Sequence, residues 1–314
     1  MSTITQAAKP IGVGKNKNRK RRLGVQPRTI VAFLLPFFLP FVLFYVIPVV
    51  YAVTQSLLKV VHGAGQYGTS STVFAGFYEY GLVFRNQEFW ASIGRVAQYG
   101  IIQVPVMLSL SLLIALLLDS ALIKGKAFFR IVAFLPYAIP GVIAAIMWSF
   151  LYHPQLSPIV ALLSHIGINV DFLSSRLIIF SIANISTWLW TGYNMLIIFS
   201  ALQAVPQEIY EAAKIDGAGN FAIAWRIKVP MILPAIILTG VFSIIGTLQL
   251  YTEPTVLAQI APSINSSFTP NMLAYTIASG NNYNQAGAMS VVIAVGAFIL
   301  SFGFMKLTSR KASL

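Results

Sequence analysis

The chain has 314 residues, of which 57% are hydrophobic and 9% charged, with a mean hydropathy of +0.77. A soluble domain carries about 25% charged residues, so this chain lacks the polar surface to cover itself in water and a bilayer must form part of its solvent. The lack of cysteine excludes disulfides, thiolate chemistry and cysteine-ligated metals. The net charge of +13 does not imply nucleic acid, because eight of the basic residues stand in one arm before the first apolar run.

In chain order, residues 1–28 are polar and Lys/Arg-rich and read as a disordered cytoplasmic arm. A six-helix transmembrane domain over 29–310 follows, with a short tail at 311–314. The apolar run from Thr29 to Leu58 is too long for a signal-peptide core, and Pro36, Pro40 and Pro48 predict a kinked or frayed helix. The Val61–Ser92 stretch is polar and aromatic, with room for a short amphipathic segment. Further spans are predicted at Ile93–Leu118, Phe128–Tyr152, Leu177–Leu202, Met231–Tyr251 and Gly287–Leu307. The fold class is therefore an all-α membrane protein with six transmembrane helices.

Lys and Arg set the orientation. With six spans, seventeen of them fall on the side of the two termini and four (Lys59, Arg85, Arg95 and Arg176) on the other. Both termini are thus expected in the cytoplasm. The loop at 205–229 lies on that same side. Pro206 suits a first helical turn, Glu208 and Glu211 suit the positive end of a helix dipole, Gly217 can end the helix in a left-handed conformation, Asn220 can cap a second helix, and Pro230 ends it. Ala212, Ala213 and Gly217 leave one side without bulk, which favours close docking of another protein over lipid.

None of the six predicted spans has an ionisable side chain near its centre; Asp119, Arg130, Arg176 and Glu253 fall at or near span ends. Coupling to an ion gradient lacks its usual residues. No G-x-x-x-x-G-K-[ST] phosphate loop is present, and His62, His153 and His165 are isolated. The reading is a non-catalytic chain with no cofactor or metal of its own. The fourth and fifth spans instead carry neutral polar and aromatic groups: Ser186, Thr187, Trp188, Trp190, Tyr193 and Asn194, then Ser243, Thr247, Gln249 and Tyr251. Hydrogen-bonding groups beside flat apolar rings suit a neutral sugar.

Glu211-Ala212-Ala213, three residues to Gly217, nine more to Ile227 and then Pro230 resemble the cytoplasmic motif of binding-protein-dependent ABC importer permeases. Tyr210–Ala218, Leu135-Pro136 through Trp148, and Ala288–Val292 look like the carbohydrate branch, and the short C-terminus resembles its first-permease type. Val229 stands where that family usually has Leu. The resemblance implies the type I importer permease fold, with a coupling helix between the fourth and fifth spans. Glu208, Glu211, Ala212, Ala213, Asp216, Gly217 and Ala218 would then meet an ATPase. It also implies a solute path on or beside Ser186, Leu189, Trp190, Tyr193, Ser243, Gly246 and Thr247, to which the polarity of the spans adds Asn194, Gln249 and Tyr251. Trp190 and Thr247 differ in type from the maltose-type permease, so a different sugar is expected.

The implied partners are a second, homologous permease, a homodimeric ABC ATPase that uses the ATP and Mg, an extracytoplasmic solute-binding protein, a sugar and the lipid bilayer, with no nucleic acid. The implied location is the bacterial inner membrane. Two other readings stay open. One is the same type of importer for a polyol phosphate, which would call for cationic groups that the spans do not show. The other is a stand-alone secondary transporter or channel.

Overall fold

The computed structural model describes residues 27–62, 70–120 and 123–312. Most of the basic arm, the middle of the 61–92 stretch and the last two residues lie outside the described residues. Met1–Val50 and Tyr51–Leu314 form two compact units.

The first apolar run is a helix in two pieces, α1 (Pro27–Phe41) and α2 (Ile47–Ser56), joined by the wider π turn Val42–Val46. The prolines explain the join. Each removes a backbone donor and crowds the preceding turn, and a π turn is one way of absorbing the misfit. After it comes an element the sequence reading did not anticipate, the antiparallel hairpin β1 (Leu58–His62) and β2 (Ser70–Phe74), with Leu58 opposite Phe74. Val60, Val61, Thr72 and Val73 supply the β-branched side chains that favour it. The expected short helix follows as α3 (Tyr78–Arg85).

The second span is α4 (Gln87–Asp119), capped by Asn86, whose side chain accepts from the Phe89 N–H. The third differs from the single helix predicted over Phe128–Tyr152. It is a broken pair: α5 (Lys126–Phe134) runs on through a 3₁₀ turn at Leu135–Ala138, and after a bend of 94° at residues 139–140 comes α6 (Gly141–Tyr152). Pro136 and Pro140 cause the break, since neither can donate to the preceding turn. Next come α7 (Pro158–His165) and the fourth span, α8 (Ile178–Gln203).

The 205–229 loop holds α9 (Gln207–Ile215), then α10 (Asn220–Ile223), a π turn at Ala224–Lys228 and α11 (Val229–Met231). Pro206 caps α9 from outside rather than occupying its first turn, and Gly219, not Asn220, holds the N-cap position of α10, with Asn220 its first helical residue. The second helix passes through Pro230 and breaks at Ile232. Gly217 is left-handed, at φ +83°. Ala218 N donates to Ala213 O and Gly217 N to Lys214 O, the paired bonds that close a helix on a left-handed residue.

The fifth span is α12 (Leu233–Leu248), broken at residues 249–251 and continued by α13 (Thr252–Leu257). Then come α14 (Pro270–Ser279) and the last span, α15 (Tyr283–Ala312). Among the described residues, four segments (Arg28–Ser56, Gln87–Asp119, Leu233–Leu257 and Tyr283–Thr308) are long and apolar enough to cross a membrane, and the bent pair makes a fifth. The sixth, α8, is about 39 Å long at 1.5 Å per residue. It does not pass as an apolar span because it carries Asn184, Thr187, Thr191, Asn194 and Gln203. Its neighbours cover it instead, so lipid does not have to.

The α8 helix is the axis of the larger unit. Ile178, Ile182, Ile185 and Leu189, at spacings of three and four, pack with Leu257, Ala261 and Phe268. Met195, Ile198 and Leu202 pack with Ala115 and Leu118 of α4 and with Ile232. A buried hydrogen bond ties the two helices, from Ser111 Oγ to Thr191 O at 2.9 Å. A Cβ on Gly192 would lie 2.0 Å from the Ala133 carbonyl oxygen, so only glycine lets α8 approach the end of α5. Gly192→Ala is expected to destabilise the protein by about 1–3 kcal/mol through overpacking, whereas Gly296→Ala, whose Cβ meets nothing within 4 Å, should not. Thermal unfolding of the two variants in detergent checks this.

Candidate functional site

A cavity of about 450 Å³ opens where α4, α8 and the break between α12 and α13 meet. Nine of the ten residues singled out for a solute path line it: Ser186, Trp190, Tyr193 and Asn194 from α8, and Ser243, Gly246, Thr247, Gln249 and Tyr251 from α12 and the break. Leu189 does not. It is 5% exposed and extends the apolar stripe of Ile182 and Ile185 on another face of α8.

The lining on α8 recurs at 186, 190, 193 and 194, along one side of the helix. The same side runs on through Ile197 and Ser200 into a second, apolar cavity of about 480 Å³, which Tyr193 shares and which Phe134, Tyr137 and Leu196 complete. Across the join Tyr193 stacks on Tyr137 and Trp190 meets it edge-on, with ring centroids 4.8 and 5.3 Å away, and Trp190 stays 43% exposed. Flat aromatic faces thus stand next to hydrogen-bonding groups, as a sugar-sized polar solute requires.

Three lining residues come from α4: Tyr99, Gln103 and Met107. Sequence reasoning missed them, although a signal was present. The buried positions Ser92, Val96, Tyr99, Gln103, Met107, Ser111 and Ala115 recur every three or four residues, so the polar members of that stripe face α8. A second miss concerns charge. Glu253, placed at the end of the fifth span by the sequence, is 9% exposed and lines the cavity, and its Oε1 accepts from Ser186 Oγ at 3.4 Å. The apolar run stops at Tyr251, but the helix resumes as α13 and carries the carboxylate back into the wall.

At the other end of α8, the 205–229 loop presents Glu208, Glu211, Ala212, Asp216 and Gly217 to solvent, with Ala213 and Ala218 half-buried. Beside them stand two large apolar side chains that sequence reasoning did not single out, Ile215 at 87% and Phe221 at 81% exposure. Small, acidic and exposed apolar residues on one loop fit a protein partner.

The inner side of this loop is held by a partly buried cluster. Lys228 pairs with Asp119 at the C-terminal end of α4, and Gln203 at the end of α8 donates from Nε2 to Asp119 Oδ1 at 2.7 Å. The Lys228 ammonium lies 4.7 Å from the ring centroid of Tyr210 on α9. Burial, with the Asp119 carboxylate adding to it, pushes the Tyr210 phenol above its ordinary pKa, so it stays neutral. Asp119→Ala leaves the partly buried Lys228 ammonium without its counter-charge, a loss of about 3 kcal/mol in local stability. Hydrogen–deuterium exchange over residues 207–215 should accelerate on the order of a hundredfold, and the swap D119K/K228D should recover part of the protection.

Residues 108–313 match the family described as binding-protein-dependent transport system inner membrane component. The chain is 30% identical to the lactose transport system permease protein LacF of Rhizobium radiobacter, over 73% of this chain and 79% of that one. It is 27% identical to the arabinooligosaccharides transport system permease protein AraP of Halalkalibacterium halodurans, over 89% and 88%. In fold it is similar to a chain of a bacterial ABC transporter involved in the import of the acidic polysaccharide alginate. The TM-score is 0.76 at 22% identity, covering 90% of this chain and 96% of that one.

Proposed function

The chain belongs to the inner membrane components of binding-protein-dependent transport systems, and on that premise we propose that it forms the translocation path for a neutral carbohydrate in an ATP-driven importer. The observation that carries this reading is the pairing of two features along α8. A cavity of hydrogen-bonding and aromatic groups lies at its middle, and a loop that exposes small, acidic and large apolar residues is fixed to its end. The names of the relatives support the cargo class, since LacF and AraP are permeases for lactose and arabinooligosaccharides.

In this reading α9 is the coupling helix. The exposed face of Ala212, Ile215, Asp216, Gly217 and Phe221 seats in a cleft of an ATPase, and Glu208 and Glu211 lie at its rim. The chain itself is non-catalytic and holds no cofactor; two ATPase subunits bind ATP and Mg. A second, similar permease completes the path, and a binding protein delivers the sugar from the opposite side. The excess of Lys and Arg on one side supports a cytoplasmic position for the loop and both termini. When the ATPases close, α9 moves, and the Asp119–Lys228–Gln203 cluster carries the movement into α4 and α8. The cavity then opens alternately to the two sides.

Two outcomes test this reading. Proteoliposomes holding the assembled importer with its binding protein should accumulate sugar only with ATP, and this chain alone should give no flux; flux without any ATPase would identify a stand-alone carrier or channel. Gly217→Val introduces a β-branched residue at a φ of +83° that such residues avoid. Uptake is expected to vanish while the amount of chain in the membrane stays normal, measured by radiolabelled uptake beside a membrane immunoblot.

A further inference from the structure

Among the described residues the cavity wall contains one carboxylate, Glu253, and no Lys, Arg or His. The side chain is 9% exposed, and among the described residues the one ion pair lies elsewhere, between Lys228 and Asp119. The partners of the Glu253 carboxylate are Ser186 Oγ, at a long 3.4 Å, and the residue's own backbone N–H, with Tyr99 beside them. Two carboxylate oxygens accept about four hydrogen bonds, so most of that capacity is open to whatever fills the cavity.

We propose that Glu253 sets the charge class of the cargo: its carboxylate accepts hydroxyl hydrogens from a neutral sugar in the cavity and turns anionic sugars away. The assignment rests on the reading of this cavity as the solute path and deepens it. Ser186 already shows the geometry on a small scale, since its hydroxyl donates to Glu253 as a sugar hydroxyl would. The rest of the lining points to the same cargo. Gln103, Asn194 and Gln249 are neutral amides, and Trp190, Tyr193 and Tyr251 offer flat ring faces. A cationic cargo would need more than one carboxylate's worth of acceptors to replace its hydration, whereas a sugar finds donors and acceptors around the whole wall.

Exclusion of anions follows from Coulomb's law. Two like charges about 5–6 Å apart in a medium of effective dielectric constant ~20 repel strongly enough to weaken binding on the order of a hundredfold. No cation among the described lining residues offsets this. The fold alone does not impose the preference, because it is shared with a chain of an importer of an acidic polysaccharide. The side chain at this position supplies it.

The test uses the assembled transporter without its binding protein, so that selection by that protein does not intervene. Equilibrium binding of two matched probes, maltotriose and trigalacturonate, is measured in detergent. The wild type should favour maltotriose by on the order of a hundredfold. Glu253→Gln keeps the shape and loses the charge; it should bind maltotriose within about tenfold of the wild type and bring trigalacturonate to within about threefold of it. Glu253→Asp keeps the charge and should keep the discrimination, and unchanged unfolding midpoints for both variants show that they fold. A wild type with no preference, binding both probes or neither, overturns the assignment. So does an E253Q variant that still rejects trigalacturonate. Gly246→Trp separates this from the parent reading by filling the cavity. If G246W leaves maltotriose binding and sugar uptake intact, the cavity is not the path; if it abolishes them while E253Q changes nothing, only the role of Glu253 fails.

Discussion

Hydrocarbon cannot hydrogen-bond, and the arrangement of this protein follows from where it hides the polar side chains of α8. That helix is long enough to span a bilayer, yet it carries asparagines, serines, threonines and a glutamine that lipid would reject. They must be satisfied by protein. The buried stripe of α4 meets this need along almost the whole of α8, with Ser111 donating across the seam and Gly192 admitting the broken third span. Apolar attraction adds little between helices in lipid, so close approach and buried hydrogen bonds carry the packing.

Once α8 is covered, its sides take different tasks. One stripe, Ile178 to Leu189, closes the core at one end; another, Met195 to Leu202, closes it at the other. Between them the side marked by Ser186, Trp190 and Tyr193 is left facing a void, because α12 breaks at residues 249–251 rather than packing against it. The break frees backbone groups that need partners, and Asn271 supplies one by donating from Nδ2 to Leu248 O at 2.8 Å. Irregular backbone at membrane depth is tolerated where it lines a cavity inside protein, as it does here.

The loop end obeys the same rule from the aqueous side. The acids and exposed apolar residues of the loop face outward, while Asp119, Lys228, Gln203 and Tyr210 form a partly buried tie to α4 and α8. The ion pair is costly to bury and costly to break. It makes the loop part of the helix pair instead of a loose connection, so a displacement of α9 acts on the two helices that line the cavity.

Much of this was legible in the residues. Hydropathy runs located the four segments, and the bent fifth, that are apolar enough to cross a membrane, and Gly217 announced the left-handed turn that closes α9, because only glycine enters that region freely. The neutral polar groups of α8 and α12 named most of the cavity wall, since polarity within a span signals something other than lipid. The tertiary structure decided the rest. Leu189 and Trp190 are neighbours in sequence, but a rotation of about 100° per residue sends one to the core and the other to the cavity. The contribution of α4, the return of Glu253 into the wall through α13, and the pairing of Asp119 with Lys228 all join residues far apart in the chain. Local propensity and hydropathy act over a few turns of backbone, whereas these contacts exist only after separate helices have met.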